Sequence, residues 1–241
     1  MKTIGIVGGI GPESTIDYYR QLLARAPELA GTRSPQIVIN SVDFWAMRQV
    51  LGAGDDAGLA DMLVREIEML EGAGAGLAII AANTPHMVFD RVQPRAALPL
   101  VSIVEATREA AEAQGLRRLG LLGTRFTTQA RFYPDVFAAR GLEIVVPEKP
   151  DLEYVHDKYV DELVEGRFLD STREGLVGVM QRMRDRAGID GVILGGTELP
   201  LILRDVAFAL PLLDTTRIHV DAALHVALQD GRRALPEEQI R

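Results

Sequence analysis

The chain has 241 residues, a formal charge of −8 and no cysteine, and it is 47% hydrophobic and 25% charged. These values fit a globular protein with an ample core. They exclude disordered and fibrous classes, disulfides and thiolate metal sites, and they argue against nucleic-acid and anionic-membrane partners, which need a clustered basic face. No run of 18 apolar residues occurs and the N-terminus enters a strand-like segment without a basic leader, so a soluble cytoplasmic protein is expected, as one large α/β domain or two of ordinary size.

Thr3 to Val7 is a β-rich run, followed by the glycine-rich turn Gly8 to Thr15 and, from about Ser14, a helix with Ile16, Tyr19, Leu22 and Leu23 at helical spacing. The turn suits an anion at a helix N-terminus, and it equally suits a βα turn that needs glycine for geometry alone. Its Gly9 and Gly11 match two positions of a dinucleotide fingerprint, but Ser14 replaces the third glycine and Asp43 lies too far along. A second strand covers Gln36 to Asp43, and Asp61 to Gly72 is an amphipathic helix with Met62, Leu63, Ile67 and Leu70 on one side. A strand from Leu77 to Ala81, a helix from about Val88, a strand from Leu98 to Ile103 and a helix from Glu105 to Gln114, closed by Gly115, complete four βα units. Such alternation predicts a parallel sheet covered by helices on both faces.

The pattern then restarts. Leu119 to Thr124 echoes Ile4 to Gly9 at an offset of 115, Thr197 follows Thr84 by 113, and Ala97-Leu98-Pro99-Leu100 recurs as Ala209-Leu210-Pro211-Leu212 after 112 residues. We read an internal duplication, with residues 1–103 plus 216–241 as an N-terminal lobe and 104–215 as a second lobe. A last helix, Ile218 to Leu228, is expected to pack back on the first lobe, with a charged tail beyond it.

Two apolar segments end in polar clusters at equivalent places: Leu77 to Ala82 runs into Asn83-Thr84-Pro85-His86, and Gly191 to Gly196 runs into Thr197-Glu198. Buried strands of a parallel sheet deliver side chains to the crevice beyond their carboxyl ends in this way. These motifs, together with Met1 to Thr15, Tyr18-Tyr19, Asn40 to Phe44, and Leu122 to Thr124 with Thr127-Thr128, resemble the aspartate/glutamate racemase family along nearly the whole chain. The resemblance implies two pseudo-symmetric, doubly wound α/β lobes with the site between them, an isomerase activity on amino acids without pyridoxal phosphate or another cofactor, and a homodimer.

It also implies two proton-transferring cysteines, one directly before the Asn-Thr and one directly before the Thr-Glu. Those places hold Ala82 and Gly196, which can neither accept nor donate a proton. The family's carboxylate-binding groups map to Asn83, Thr84, Thr124, Thr127, Thr128 and Thr197, and Arg48 suits a carboxylate clamp. A lone Thr at a strand end is more often a helix cap, so the argument rests on the set. Thr84, Thr197, Glu198 and His86 are the candidate catalytic residues; His86 and Glu198 are the replacement acids and bases, with Glu13 more remote. Each has a structural alternative, His86 as a packing or capping group and Glu198 as a carboxylate at a helix start. His156, His219 and His225 show no metal-ligand spacing, and no metal is expected. Three functional readings follow: a small acidic amino acid or related carboxylate handled by non-cysteine groups, a catalytically silent binding or regulatory homologue, and a lyase or decarboxylase.

Overall fold

The computed structural model describes residues 1–30 and 34–229. The first half runs β1 (Ile4–Gly8), α1 (Pro12–Ala30), β2 (Ile37–Ser41), α2 (Phe44–Gly52), α3 (Asp56–Gly72), β3 (Leu77–Ile80), α4 (Phe89–Val92), β4 (Leu100–Val101) and α5 (Ile103–Ala113). The second runs β5 (Arg118–Leu122), α6 (Arg125–Gln129), α7 (Phe132–Ala138), β6 (Glu143–Val145), α8 (Lys149–Lys158), α9 (Asp170–Ala187), β7 (Gly191–Leu194), α10 (Leu199–Leu203), β8 (Leu212–Asp214) and α11 (Thr215–Gln229). The strands form two parallel sheets of identical topology, ordered β2-β1-β3-β4 and β6-β5-β7-β8. Their registers correspond as well, Gly5 pairing with Ala78 in one and Gly120 with Val192 in the other. The two-lobed α/β architecture expected from the repeat is therefore present.

Each sheet is buried on both faces, which explains the continuous apolar runs of β1, β3, β5 and β7. In the first sheet Val7, Ala78 and Ile80 pack under α3, while Ile4, Ile6, Leu77 and Ile79 pack against Tyr18 and Leu22 of α1 and against Val220, Ala223 and Leu224 of α11. In the second, Val192 and Leu194 meet α8, α9 and α10, while Leu119, Leu121 and Ile193 meet Tyr133 and Phe137 of α7 and Ile103, Val104 and Ala111 of α5. The lobes thus exchange their last helices: α5 follows the first sheet and covers the second, and α11 follows the second and covers the first. An Arg25–Asp221 pair with two 2.7 Å contacts ties α11 to α1.

Several boundaries differ from the sequence reading. Helix α1 begins at Pro12, which pre-sets the helical φ at a first-turn position, rather than at Ser14. Asp55 accepts from Gly58 N at 2.8 Å and starts α3 ahead of Asp61. Strand β4 has only two residues, because Ser102 caps α5 by accepting from Glu105 N. The helix expected from Val88 is a 3₁₀ turn, Thr84–Val88, followed by the single turn of α4. Helix α2, which carries Arg48, has no counterpart in the sequence reading. Asp43 caps it by accepting from Trp45 N and Ala46 N. The last helix spans Thr215–Gln229, and the expected charged tail lies outside the described residues.

The exchanged helix carries a direct stability prediction. Leu224 is fully buried among Ile4, Tyr18 and Val220, so Leu224→Ala should lower the unfolding free energy by about 2–5 kcal/mol in urea titrations at constant m.

Candidate active site between the two sheets

The carboxyl ends of β1, β3, β5 and β7 converge on a cleft of about 350 Å³. This is where parallel sheets place ligands, and the internal repeat makes the crevice two-sided. From the first half come Ile10 and Gly11 after β1, Arg48 on α2, and Ala82, Asn83 and Thr84 after β3; from the second come Thr124 and Thr127 after β5, Tyr159 after α8, and Gly196 to Glu198 after β7. A larger groove of about 870 Å³ runs along α4, α5, α7 and α11, but none of the strand-end threonines lines it.

One wall is built around a buried carboxyl group. Glu198 accepts from Ser14 Oγ at 2.5 Å, from the Tyr159 hydroxyl and from Thr197 Oγ1 at 3.1 Å, and Ser14 Oγ also lies 2.7 Å from Thr197 Oγ1. Burial raises the Glu198 pKa above the ordinary carboxylate value, against the lowering effect of these hydrogen bonds. Burial, reinforced by the Glu198 charge, raises that of the Tyr159 phenol. Two glycines make room for the group. At Gly11, with φ +91°, an added Cβ would overlap Glu198 Oε1; at Gly196 it would overlap the Tyr159 ring. Tyr159 opens a five-residue π-helical turn, Tyr159–Leu163, that follows α8.

Thr84 brings the halves together from the other side, its hydroxyl 3.0 Å from that of Thr127 and 3.4 Å from that of Thr124. Thr124 also caps α6. Asn83 lines the cleft, but its side chain is used in the seam: its Oδ1 accepts from Tyr133 Oη at 2.6 Å and its Nδ2 donates to Thr215 Oγ1 at 3.1 Å. Arg48 is exposed at the rim, its guanidinium 5.4 Å from the Trp45 ring centre. His156 accepts from Arg125 N at 3.2 Å, and burial together with the Arg125 charge depresses its pKa, which favours the neutral ring.

Three sequence candidates do not reach the cleft. His86 is a correction: it lies among the residues of the other groove, its Nδ1 donates to Ala82 O at 2.9 Å, and its Nε2 accepts from Ile103 N at 3.2 Å. Burial, helped by neighbouring His219, depresses its pKa to about 3, so His86 braces the strand end and does not supply an acid or base. Thr128 is buried and donates to Thr124 O at 3.1 Å within α6, as a backbone-bonding helix threonine. Glu13 is exposed and does not line the cleft. Conversely, Tyr159 and Ser14 complete the Glu198 wall without having been sequence candidates. Ser14 stood in a noted motif; nothing in the sequence marks Tyr159. Among the described residues no group of three or more His, Asp or Glu side chains is arranged to hold a metal ion, and no helix is long and apolar enough to cross a membrane.

A family model, Asp/Glu/Hydantoin racemase, matches residues 7–223. The chain belongs to that family. Among family relatives, the broad specificity amino-acid racemase RacX of Bacillus subtilis is 22% identical over 219 residues, covering 88% of this chain and 92% of RacX. An aspartate racemase homologue from Pyrococcus horikoshii superposes with a TM-score of 0.82 at 36% identity, covering 95% of this chain and all of that one. A Yersinia pestis protein assigned to the Asp/Glu racemases gives 0.85 at 35% over the same shares. The glutamate racemase of Francisella tularensis, solved with D-glutamate, shares the fold with a TM-score of 0.68 at 18% identity, over 99% of this chain and 84% of that one. The chain is thus a member of a family of racemases, which are isomerases.

The two interior histidines contribute to the acid limb of stability. His219 donates from Nε2 to Val101 O at 2.8 Å and meets Tyr18 Oη at 2.9 Å with Nδ1, and burial depresses its pKa to about 4. Both rings are neutral when folded and titrate near 6.5 when unfolded. Their stabilising contribution is therefore complete above pH 6.5 and is lost as pH falls toward 4 and 3, at up to about 1.4 kcal/mol per pH unit for each ring. Urea unfolding between pH 6.5 and 4.5 should show a shallower decline in His86→Gln than in the parent. Equal slopes would contradict a neutral buried His86.

Proposed function

We propose that the chain is a cofactor-independent enzyme of the racemase family that holds a small carboxylate between its two sheets and moves a proton through Tyr159 and Glu198. In this reading Ala82 and Gly196 stand where the family resemblance puts the two cysteines, and the Tyr159 ring takes up the space beside Gly196 that a thiol side chain would need. The observation that carries the proposal is the hydrogen-bonded Tyr159–Glu198 pair on the cleft wall of a chain without any cysteine. Arg48 and the hydroxyls of Thr84, Thr124 and Thr127 supply donors for the substrate carboxylate.

The chemistry is a relay. As Tyr159 Oη takes the substrate α-proton, the phenolic proton passes to Glu198 Oε2, and the electron pair of the broken C–H bond stays on the substrate. The reverse sequence returns a proton to the same carbon. A carboxylate whose pKa is raised by burial is a stronger base than an ordinary one. Ala82, Asn83, Thr84 and Pro85, the cleft residues after β3, offer no titratable group. The arrangement therefore favours proton transfer on one face of the substrate, which suits stereospecific exchange better than two-base racemisation. It suits equally a decarboxylation in which the C–C bond breaks, CO2 leaves and the reverse relay, from a protonated Glu198 through Tyr159, places a proton on the carbon.

A panel of L- and D-amino acids and α-substituted acids, incubated with the protein in deuterated water and followed by NMR and product analysis, tests this reading. Exchange or decarboxylation should fall about 10²-fold or more in Tyr159→Phe and in Glu198→Gln, with ligand affinity changed little. Arg48→Ala should weaken carboxylate binding by about tenfold or more in calorimetry. Ligand binding without exchange or decarboxylation in the parent would leave a binding protein and overturn the relay.

A further inference from the structure

The walls of the cleft define its ligand more narrowly. Arg48 is the only Lys or Arg among the described residues that line it, and the neutral His156 ring adds no charge. Glu198, the only acidic residue among the described ones that line it, is already shared among Ser14, Tyr159 and Thr197. Much of the remaining lining is apolar, with Ile10, Phe44, Leu51, Phe126, Val160 and Val164 as its large side chains.

A dicarboxylate brings two charges, and each one taken out of water needs an ionic or hydrogen-bonded partner. This cleft offers a single cation. A second carboxylate placed in it would have no cation of its own: it would divide the threonine hydroxyls with the first, or meet apolar side chains or the Glu198 carboxyl. An apolar substituent meets the opposite situation. It gains from every methylene covered, and it would also cover Phe126, which is 45% exposed at the cleft. The volume of about 350 Å³ falls within the roughly 300–1,000 Å³ of small-molecule sites, which leaves space for a bulky group beyond the carboxylate.

We infer that the cleft selects a monocarboxylate carrying a bulky apolar substituent, aromatic or branched aliphatic, over aspartate and glutamate. The inference rests on the carboxylate reading of the same cleft. It also identifies α2 and the segment following α8 as specificity elements, since they supply Arg48, Phe44, Leu51, Val160 and Val164.

The test is titration calorimetry of the intact chain with 2-phenylpropionate and with L- and D-phenylalanine and leucine, set against L- and D-aspartate and glutamate. At least one apolar acid should bind tenfold or more tightly than any acidic amino acid, and Arg48→Ala should weaken that binding. Val164→Lys, at a half-buried position where a long side chain can extend its ammonium along the wall, should shift the preference toward aspartate or glutamate by tenfold or more. Thermal unfolding of the variant checks that it is folded. Acidic amino acids binding as tightly as the apolar acids would overturn this inference while leaving the carboxylate reading in place. Absence of binding by every acid in the panel would overturn both.

Discussion

A carboxyl group held out of water between two lobes is the constraint that organises the site. Leaving Glu198 buried without partners would cost several kcal/mol, and the structure surrounds it with three hydroxyls drawn from both halves: Ser14 from α1, Tyr159 from the turn after α8, and Thr197 beside it. Those partners impose their own requirements. Gly11 must lack a side chain because Glu198 Oε1 occupies the space, and Gly196 must lack one because the Tyr159 ring does. The glycines at these two strand ends are thus explained by one buried acid.

The seam is made firm by the exchange of helices. Because α5 completes the core of the second lobe and α11 that of the first, the lobes cannot separate without exposing Ile103, Val104, Val220 and Leu224. Polar contacts follow the same line: Tyr133 and Thr215 hold Asn83, and Arg204 reaches Asp17 at 2.8 Å and Asp214 at 3.3 Å. His86 fits this scheme as a brace, linking the carbonyl of Ala82 at the end of one sheet to the first amide of the helix that crosses to the other. Buried polar groups with a full set of partners fix one arrangement of the parts around them, which a two-sided cleft requires.

Much of this was legible in the sequence because it depends on local pattern. Fully buried parallel strands read as apolar runs, the repeated Ala-Leu-Pro-Leu exposed the duplication, and polar residues directly after β3 and β7 marked the cleft. What escaped depends on tertiary placement. Helix α2 has an alternation too short to separate from a loop, although Asp43 before Phe44 was a usable cap signal. Tyr159 sits in a π-helical turn, 37 residues before Gly196, and only the fold brings its ring against that glycine. His86 shows the opposite error. A histidine after Asn-Thr-Pro has the right residue type for an acid or base, but the 3₁₀ turn directs its ring into the core, where two backbone partners hold its position and burial keeps it neutral.

The substrate class and the chemistry proposed for the cleft are physically coupled. Taking a proton from the carbon beside a carboxylate develops negative charge next to one already present. In an apolar cleft with one guanidinium, that charge has Arg48 and the hydroxyls of Thr84, Thr124 and Thr127 to receive it. A second substrate carboxylate would compete for those donors and would raise the energy of the charged intermediate more than that of the ground state, because low polarity strengthens every uncompensated repulsion. An apolar substituent adds no charge, excludes water and leaves the donors free. On the proposed reading, the same walls that favour such a ligand in binding therefore favour it further along the reaction, so discrimination against acidic amino acids belongs in turnover as well as in affinity.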